Sequence, residues 1–423
     1  MDRYNLKSKV ACVIDSGGYP EIAIELAKAF GKVYYFVEWR EAFPTYHKKS
    51  IGTGIPNVIR IENLEDYEDE IDFWYVTDLF YGAKTEQLRR NGKICFGAGR
   101  GEIIELNRGY LKGLLKQLDL PVNEYETIIG ITALREYLKA NPDVYVKLNA
   151  NMRGHLESSH CENYDLFKPV LDSLQHQLGW DAETAEFMVE KPIRPAIEYG
   201  YDGYFCSGGY PNKTTFGVEI KDSAYGCIVV DYNKLPKSVK EINEKFKPIL
   251  TAFDYRGALG NEIRHQEKGK AYYLDAYCRQ GQPPTSLQIR MTENYAEVAY
   301  EIALGRIPDI KFKAKYGVML VIKSDWAKTE PQPIYFDEKY AEFISIKNLA
   351  IKDGIRYFVP TIGCEMEEIG SCAFYADTMK AAIKQVKEIA KSIKGYGVHV
   401  NVDALDETQE EIDKLSKYGI NLF

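Results

Sequence analysis

The stretch FDYRGALGNEIRHQEKGKAYYLDAYCRQGQP, residues 253–283, decides how the rest of the chain is read. Two strand-like runs flank EKGK at 267–270, a turn signal, so they read as neighbouring antiparallel strands. That arrangement sets Glu262 and Asp275 side by side. Paired anionic oxygens suit magnesium, which prefers oxygen ligands and commonly bridges protein carboxylates to nucleotide phosphates. Arg279, four residues beyond Asp275, shares that strand face if the strand continues. An exposed hairpin with charged edges is the plainer reading of this stretch alone, and other segments have to decide between the two.

Upstream, the run VYVK at 144–147 is apolar until it ends in Lys147. A lysine so placed packs its stem on the sheet and points its ammonium at a phosphate, although alone it would read as a solvated strand end. Still earlier, KVACVID, SGGYP, EIAIELAKAFG and KVYYFVEW read as strand, glycine turn, helix and strand, the unit of a parallel sheet with crossover helices. NVIRI, DFWYVTDLF and KICFG continue this pattern to about residue 100.

Apolar positions recur at helical spacing from Leu106 to Leu118, and Asp119–Pro121 ends that helix. Strands follow at VYVKL, EFMVEK, FGVEI, GCIVVDY and AYYLDAYC, with a helical stretch at Tyr164–Leu178. A last region opens with KFKAKYGVMLVIK and includes the amphipathic helix DTMKAAIKQVKEIAKSIKG. The expected architecture is α/β and α+β in three parts: a Rossmann-like domain over 1–105, a central domain over 106–306 and a small α+β domain over 307–423.

Composition narrows the function. The 423 residues carry a formal charge of -8, so no overall field favours wrapping a nucleic acid, and any nucleotide site must be local. The eight cysteines stand singly with no CxxC pair, and the six histidines show no HExxH spacing. His155 and His160 flank a loop and read as solvated. The N-terminus reads as neither a signal peptide nor a membrane span, and a cytoplasmic protein with no membrane partner is expected.

Taken together, these segments resemble the ATP-grasp ligases. NRGYLKGLLKQLDLPV looks like their first nucleotide-binding helix, with Arg108 thirteen residues before Pro121. VYVK resembles the second basic strand, FMVEKPI the adenine hinge, and YRGALGNEIR with YYLDAYCR the two metal-binding strands, in the usual order. The resemblance implies an ATP-grasp central domain in which Arg108 and Lys147 contact ATP phosphates. It further implies that Glu190 and Lys191 belong to the adenine hinge, that Glu198 approaches the ribose, and that Glu262 and Asp275 bind Mg2+.

Within that superfamily the chain is most similar to the phosphoribosylamine–glycine ligases of purine biosynthesis. DAYCRQGQPPTS resembles their EFNxRFGDPETQ segment, SGG their GSGGREH loop, and SCAFYADTMKAAIKQV their final strand and helix. This implies substrate contacts from Ser16, Gly17, Gly18, Arg153 and Arg279. It also implies small-molecule carboxylate and amine substrates, possible ones being glycine and phosphoribosylamine, joined through an acyl phosphate with Lys147 and Arg279 catalytic.

The departures lie at the substrate end. Tyr277 stands where the family has a metal-binding asparagine, Gln282 and Pro284 where it has acids, and Tyr19, Pro20 and Glu21 where it has arginine, glutamate and histidine. The loop NANMRGHLESSH is poor in glycine. Tyr277 is expected to point at the phosphates and weaken a second metal position. An ATP-binding module without activity is the alternative that Tyr277 raises. A dinucleotide-binding oxidoreductase, with Glu38 as its ribose acid, lacks the GxGxxG spacing.

Overall fold

The computed structural model describes residues 3–37, 48–149, 158–267, 269–327, 330–360 and 367–422. Arg153 and Glu38 lie outside the described residues. The chain forms two compact units, one of Met1–Glu102, Tyr199–Asn261 and Tyr277–Phe423, the other of Ile103–Glu198 and Glu262–Ala276.

The first unit opens with a five-stranded parallel sheet. Its spatial order is Ile59–Ile61, Lys32–Val37, Val10–Asp15, Phe73–Val76 and Ile94–Phe96. Val13 pairs with Tyr35 on one side and Tyr75 on the other. These strands are buried on both faces, which explains runs such as ACVI and FWYV that do not alternate with polar residues. The order reverses between Val10–Asp15 and Phe73–Val76, so the loops after these two strands diverge to opposite sides. Such a switch point leaves a crevice at the strands' carboxyl ends.

The helix Pro20–Ala29 follows the first strand, with proline pre-set for its first turn and Ile22, Ala23 and Leu26 buried. The rest of the unit is built on a largely antiparallel sheet. Lys213–Ile220, Ala224–Asp231, Tyr316–Ser324 and Glu368–Ala376 pair in succession, and Ile344–Ile346 lies beyond the last. The amphipathic helix expected at 377–395 runs Met379–Ser392, capped by Thr378, with Ala382, Val386 and Ile389 facing the core.

The second unit holds a four-stranded antiparallel sheet in the order Tyr125–Ile129, Glu186–Glu190, Val144–Leu148, Ser159–Cys161. The helices Ile131–Ala140 and Tyr164–Leu178 pack Leu134, Leu138, Leu171 and Leu174 onto its apolar face against Val146 and Phe187. The expected first helix runs Arg108–Gln117. Asn107 caps it by accepting from Tyr110 N at 2.8 Å, and Asp119, at φ 49°, ends it before Pro121. Among the described residues no helix is long and apolar enough to cross a membrane, and the seven described cysteines are buried and form no disulfide.

Candidate functional site

In the second unit, three basic side chains converge on two carboxylates. Lys147, only 4% exposed, leaves the strand Val144–Leu148 with its Nζ 3.0 Å from Glu190 Oε2 and 2.9 Å from Asp275 Oδ2. Glu190 pairs directly with Tyr145 on the adjacent strand, so Lys147, two residues further along the same face, meets it diagonally. Lys112 arrives from the helix Arg108–Gln117. Its Nζ lies 2.7 Å from Glu190 Oε1 and donates to Asn123 Oδ1 at 2.7 Å. Arg108, one turn earlier on the same helix face, sets its Nε 3.8 Å from Asp275 Oδ1 and donates from Nη1 to Leu148 O at 2.7 Å.

Asn149 fixes the start of that helix. Its Oδ1 accepts from Gly109 N at 2.8 Å, while its Nδ2 donates to Glu186 Oε2 at 2.7 Å. Burial alone would raise the Asp275 carboxyl, but the charges of Lys147 and Arg108 outweigh it and hold the group well below the usual range. Burial likewise opposes the charged form of Lys147, and Asp275 and Glu190 overturn it, keeping the ammonium protonated well past its ordinary range. Glu190 is lowered in the same way, burial being outweighed by Lys147 and Lys112. Counted over Arg108, Lys112, Lys147, Glu190 and Asp275, the cluster is one positive charge in excess, and in a desolvated setting it favours an anion.

The other expected nucleotide residues are more exposed than Lys147 and Glu190. Lys191 is exposed and paired with Glu124. Glu198 is half-exposed, 3.6 Å from Arg264, and Glu262 is exposed on the segment Glu262–Ala276. Lys112, Asn123 and Asn149 are not among the sequence-predicted residues. The spacing of Lys112, four residues after Arg108, was the one available signal for it.

In the first unit, Ser16, Gly17 and Gly18 follow the strand Val10–Asp15 at the switch point. Ser16 Oγ donates to Asp78 Oδ2 at 2.8 Å, and Asp78 follows the neighbouring strand Phe73–Val76. Arg279 reaches the same place, with Nε 3.9 Å from Asp78 Oδ1 and Nη1 donating to Gln280 O at 3.0 Å and Tyr19 OH at 3.4 Å. Gly17, at φ 102°, lies so close to Asn348 that a Cβ would come 2.1 Å from its Oδ1.

Asp15 lies beneath this loop. It accepts from Tyr35 OH and Thr77 Oγ1, both at 2.6 Å, and from Tyr19 N at 3.0 Å. Burial pushes its carboxyl up against the lowering effect of these donors.

Tyr277 takes a different course from the one expected. Its ring fits against Gly260 and Gly281, where a Cβ would come within 1.8 Å and 2.9 Å of it, and its hydroxyl donates to Asp202 Oδ1 at 2.5 Å. Tyr225 also donates to this buried carboxylate. The phenol is therefore committed to a buried acid. Burial lifts Asp202 to about 6 despite both donors.

The sequence matches no protein-family model and no curated protein. Solved structures do match over nearly the whole chain. Phosphoribosylamine–glycine ligase from Thermotoga maritima is 16% identical, with a TM-score of 0.69 over 93% of this chain and 99% of that one. A biotin carboxylase from Campylobacter jejuni, in complex with β-γ-ATP, is 14% identical, with a TM-score of 0.65 over 96% of each chain. L-amino acid ligase from Bacillus licheniformis is 13% identical, with a TM-score of 0.61 over 93% of this chain and all of that one. The chain has the ATP-grasp fold. At these identities the likeness describes the ATP-grasp scaffold alone, and what this chain does has to be argued from the two side-chain groups above.

Proposed function

We propose that the chain is an ATP-dependent ligase that joins a small carboxylate to a small amine through an acyl phosphate, releasing ADP and phosphate. The observation that carries this reading is the largely buried excess of positive charge formed by Arg108, Lys112 and Lys147 around Glu190 and Asp275. A desolvated, pre-oriented cation group binds a polyphosphate and stabilises charge moving onto its terminal oxygens, with no reorganisation at the moment of transfer. By the same reading Glu190 and Lys191 flank the adenine and Glu198 the ribose.

Asp275 and Glu262 would hold the magnesium ion. Among the described residues no group of three or more His, Cys, Asp or Glu side chains is placed to hold a metal by itself. Two carboxylates, one of them held ionised by its neighbours, nevertheless suit magnesium, which usually takes one or two carboxylates together with substrate phosphates. When bound it offsets charge on the transferring phosphoryl group. In the reaction the substrate carboxylate attacks the terminal phosphate, releasing ADP, and the amine then displaces phosphate to give the amide; Arg279, in the first unit, is assigned to the substrate carboxylate. The sequence resemblance supplies glycine and phosphoribosylamine as the reference pair, and the altered loop at Tyr19, Pro20 and Glu21 is where the amine would differ from it.

The test is ADP release from MgATP across a matrix of carboxylates and amines, with Lys147→Met alongside the wild type. Loss of a charge-assisted phosphate contact is worth ~1.5–3 kcal/mol, so the variant should bind MgATP roughly 10- to 150-fold more weakly. Full ADP release by Lys147→Met would remove the assignment. MgATP binding without turnover on any pair would leave the inactive module as the better description.

A further inference from the structure

We propose that Ser16 and Asp78 bind the cationic end of an amine substrate that carries no phosphate. The inference rests on the ligase reading and names the class of its amine. The position is set by topology: both residues follow strands that flank the reversal in strand order, outside whose carboxyl ends ligands of open α/β sheets bind.

The chemistry of the loop is that of an acceptor. A serine hydroxyl has one hydrogen, and Ser16 directs it to Asp78 Oδ2 at 2.8 Å, leaving its Oγ lone pairs beside a carboxylate oxygen. Asp78 is fixed from behind, since its Oδ1 accepts from Leu79 N at 2.8 Å. A phosphate at this loop would look for free backbone N–H groups at the start of the helix Pro20–Ala29. The Tyr19 N–H there already goes to Asp15, and Glu21 places a buried carboxylate in the first turn, where Ser286 Oγ donates to it at 2.8 Å.

A phosphate dianion would also meet Asp78 across the Ser16 hydroxyl. An ammonium meets two acceptors there instead. Arg279, 3.9 Å from Asp78, places an opposite charge beside them, so a cationic group and a carboxylate find complementary partners next to one another.

Thermal stabilisation of the full chain, without nucleotide, is measured with matched amines: ethanolamine against O-phosphoethanolamine, glucosamine against glucosamine 6-phosphate, and inorganic phosphate alone. The unphosphorylated member of a pair should bind at least tenfold more tightly than its phosphorylated counterpart. Asp78→Asn should erase that preference, and Ser16→Ala should weaken it several-fold. Stabilisation of both variants by MgATP, equal to that of the wild type, shows that they are folded. Tighter binding of phosphate or of the phosphorylated members overturns the proposal. So does a preference that survives Asp78→Asn, or the binding of no amine by a chain that MgATP stabilises. Failure of MgATP to stabilise the wild type sinks the ligase reading instead, which keeps the two failures apart.

Discussion

Replacing Asp202 by asparagine should flatten the dependence of stability on pH. Asp202 is 4% exposed on the strand Ala196–Cys206 and accepts from Tyr225 and Tyr277, yet burial still lifts its carboxyl from the ordinary 3.8 to about 6. A carboxyl with a raised folded pKa binds its proton more tightly in the folded chain. Its contribution is therefore complete below the unfolded value near 4 and is lost as pH rises through 6. A rise of that size corresponds to ~3 kcal/mol, of which about half should appear between pH 8 and pH 5.

Asparagine keeps the shape and has no such titration. The assay is a urea midpoint, followed by tryptophan fluorescence, for both proteins at pH 5, 6, 7 and 8. The difference in unfolding free energy should shift by ~1.5 kcal/mol in favour of the wild type from pH 8 to pH 5. Asp15 and Glu21, also raised by burial, titrate in both proteins and cancel in this difference. Parallel curves across the range would refute the reasoning and place the proton on Asp202 outside the measured window.

Two further substitutions probe the packing of the sites. Lys112→Met removes a 2%-exposed ammonium from between Glu190 and Asn123, and breaking such a buried pair should cost ~3–5 kcal/mol in chemical denaturation; a loss below about 1 kcal/mol would mean that Glu190 does not depend on it. Gly17→Ala forces a side chain onto a backbone at φ 102° and into Asn348, and should destabilise by ~1–3 kcal/mol with a matching fall in the urea midpoint. An unchanged midpoint for Gly17→Ala would show that the loop relaxes around the added methyl group.

Parts of this arrangement are legible in the sequence because they break a local pattern. Lys147 is a lone charge in an apolar strand, and Asn107 and Pro121 bracket the first helix with ordinary start and stop chemistry. Lys112 is legible only as the position four residues after Arg108, since a lysine on an amphipathic helix reads as solvated until a strand from elsewhere in the unit lays Glu190 against it. Asp78 is hidden for a different reason. It sits in the run DFWYVTDLF, which reads as one continuous buried strand, whereas the strand closes at Val76 and Thr77 turns its hydroxyl to Asp15. Tyr277 illustrates the limit of reading alternation along a strand: that pattern put its phenol on the face of Asp275, but Gly260, distant in the sequence, opens a slot that leads the ring to Asp202.

The second unit is written in two pieces, Ile103–Glu198 and Glu262–Ala276, and the division falls between Lys147 and its partner Asp275. As the chain leaves the ribosome, Arg108, Lys112 and Lys147 emerge with Glu190, but the second counter-charge, Asp275, lies 85 residues further on, a wait of ~4–17 s at ordinary rates of synthesis. Until then the nascent domain is cationic at its centre and short of one anion. The charge balance of the unit is therefore completed only when the strand that carries Asp275 joins it.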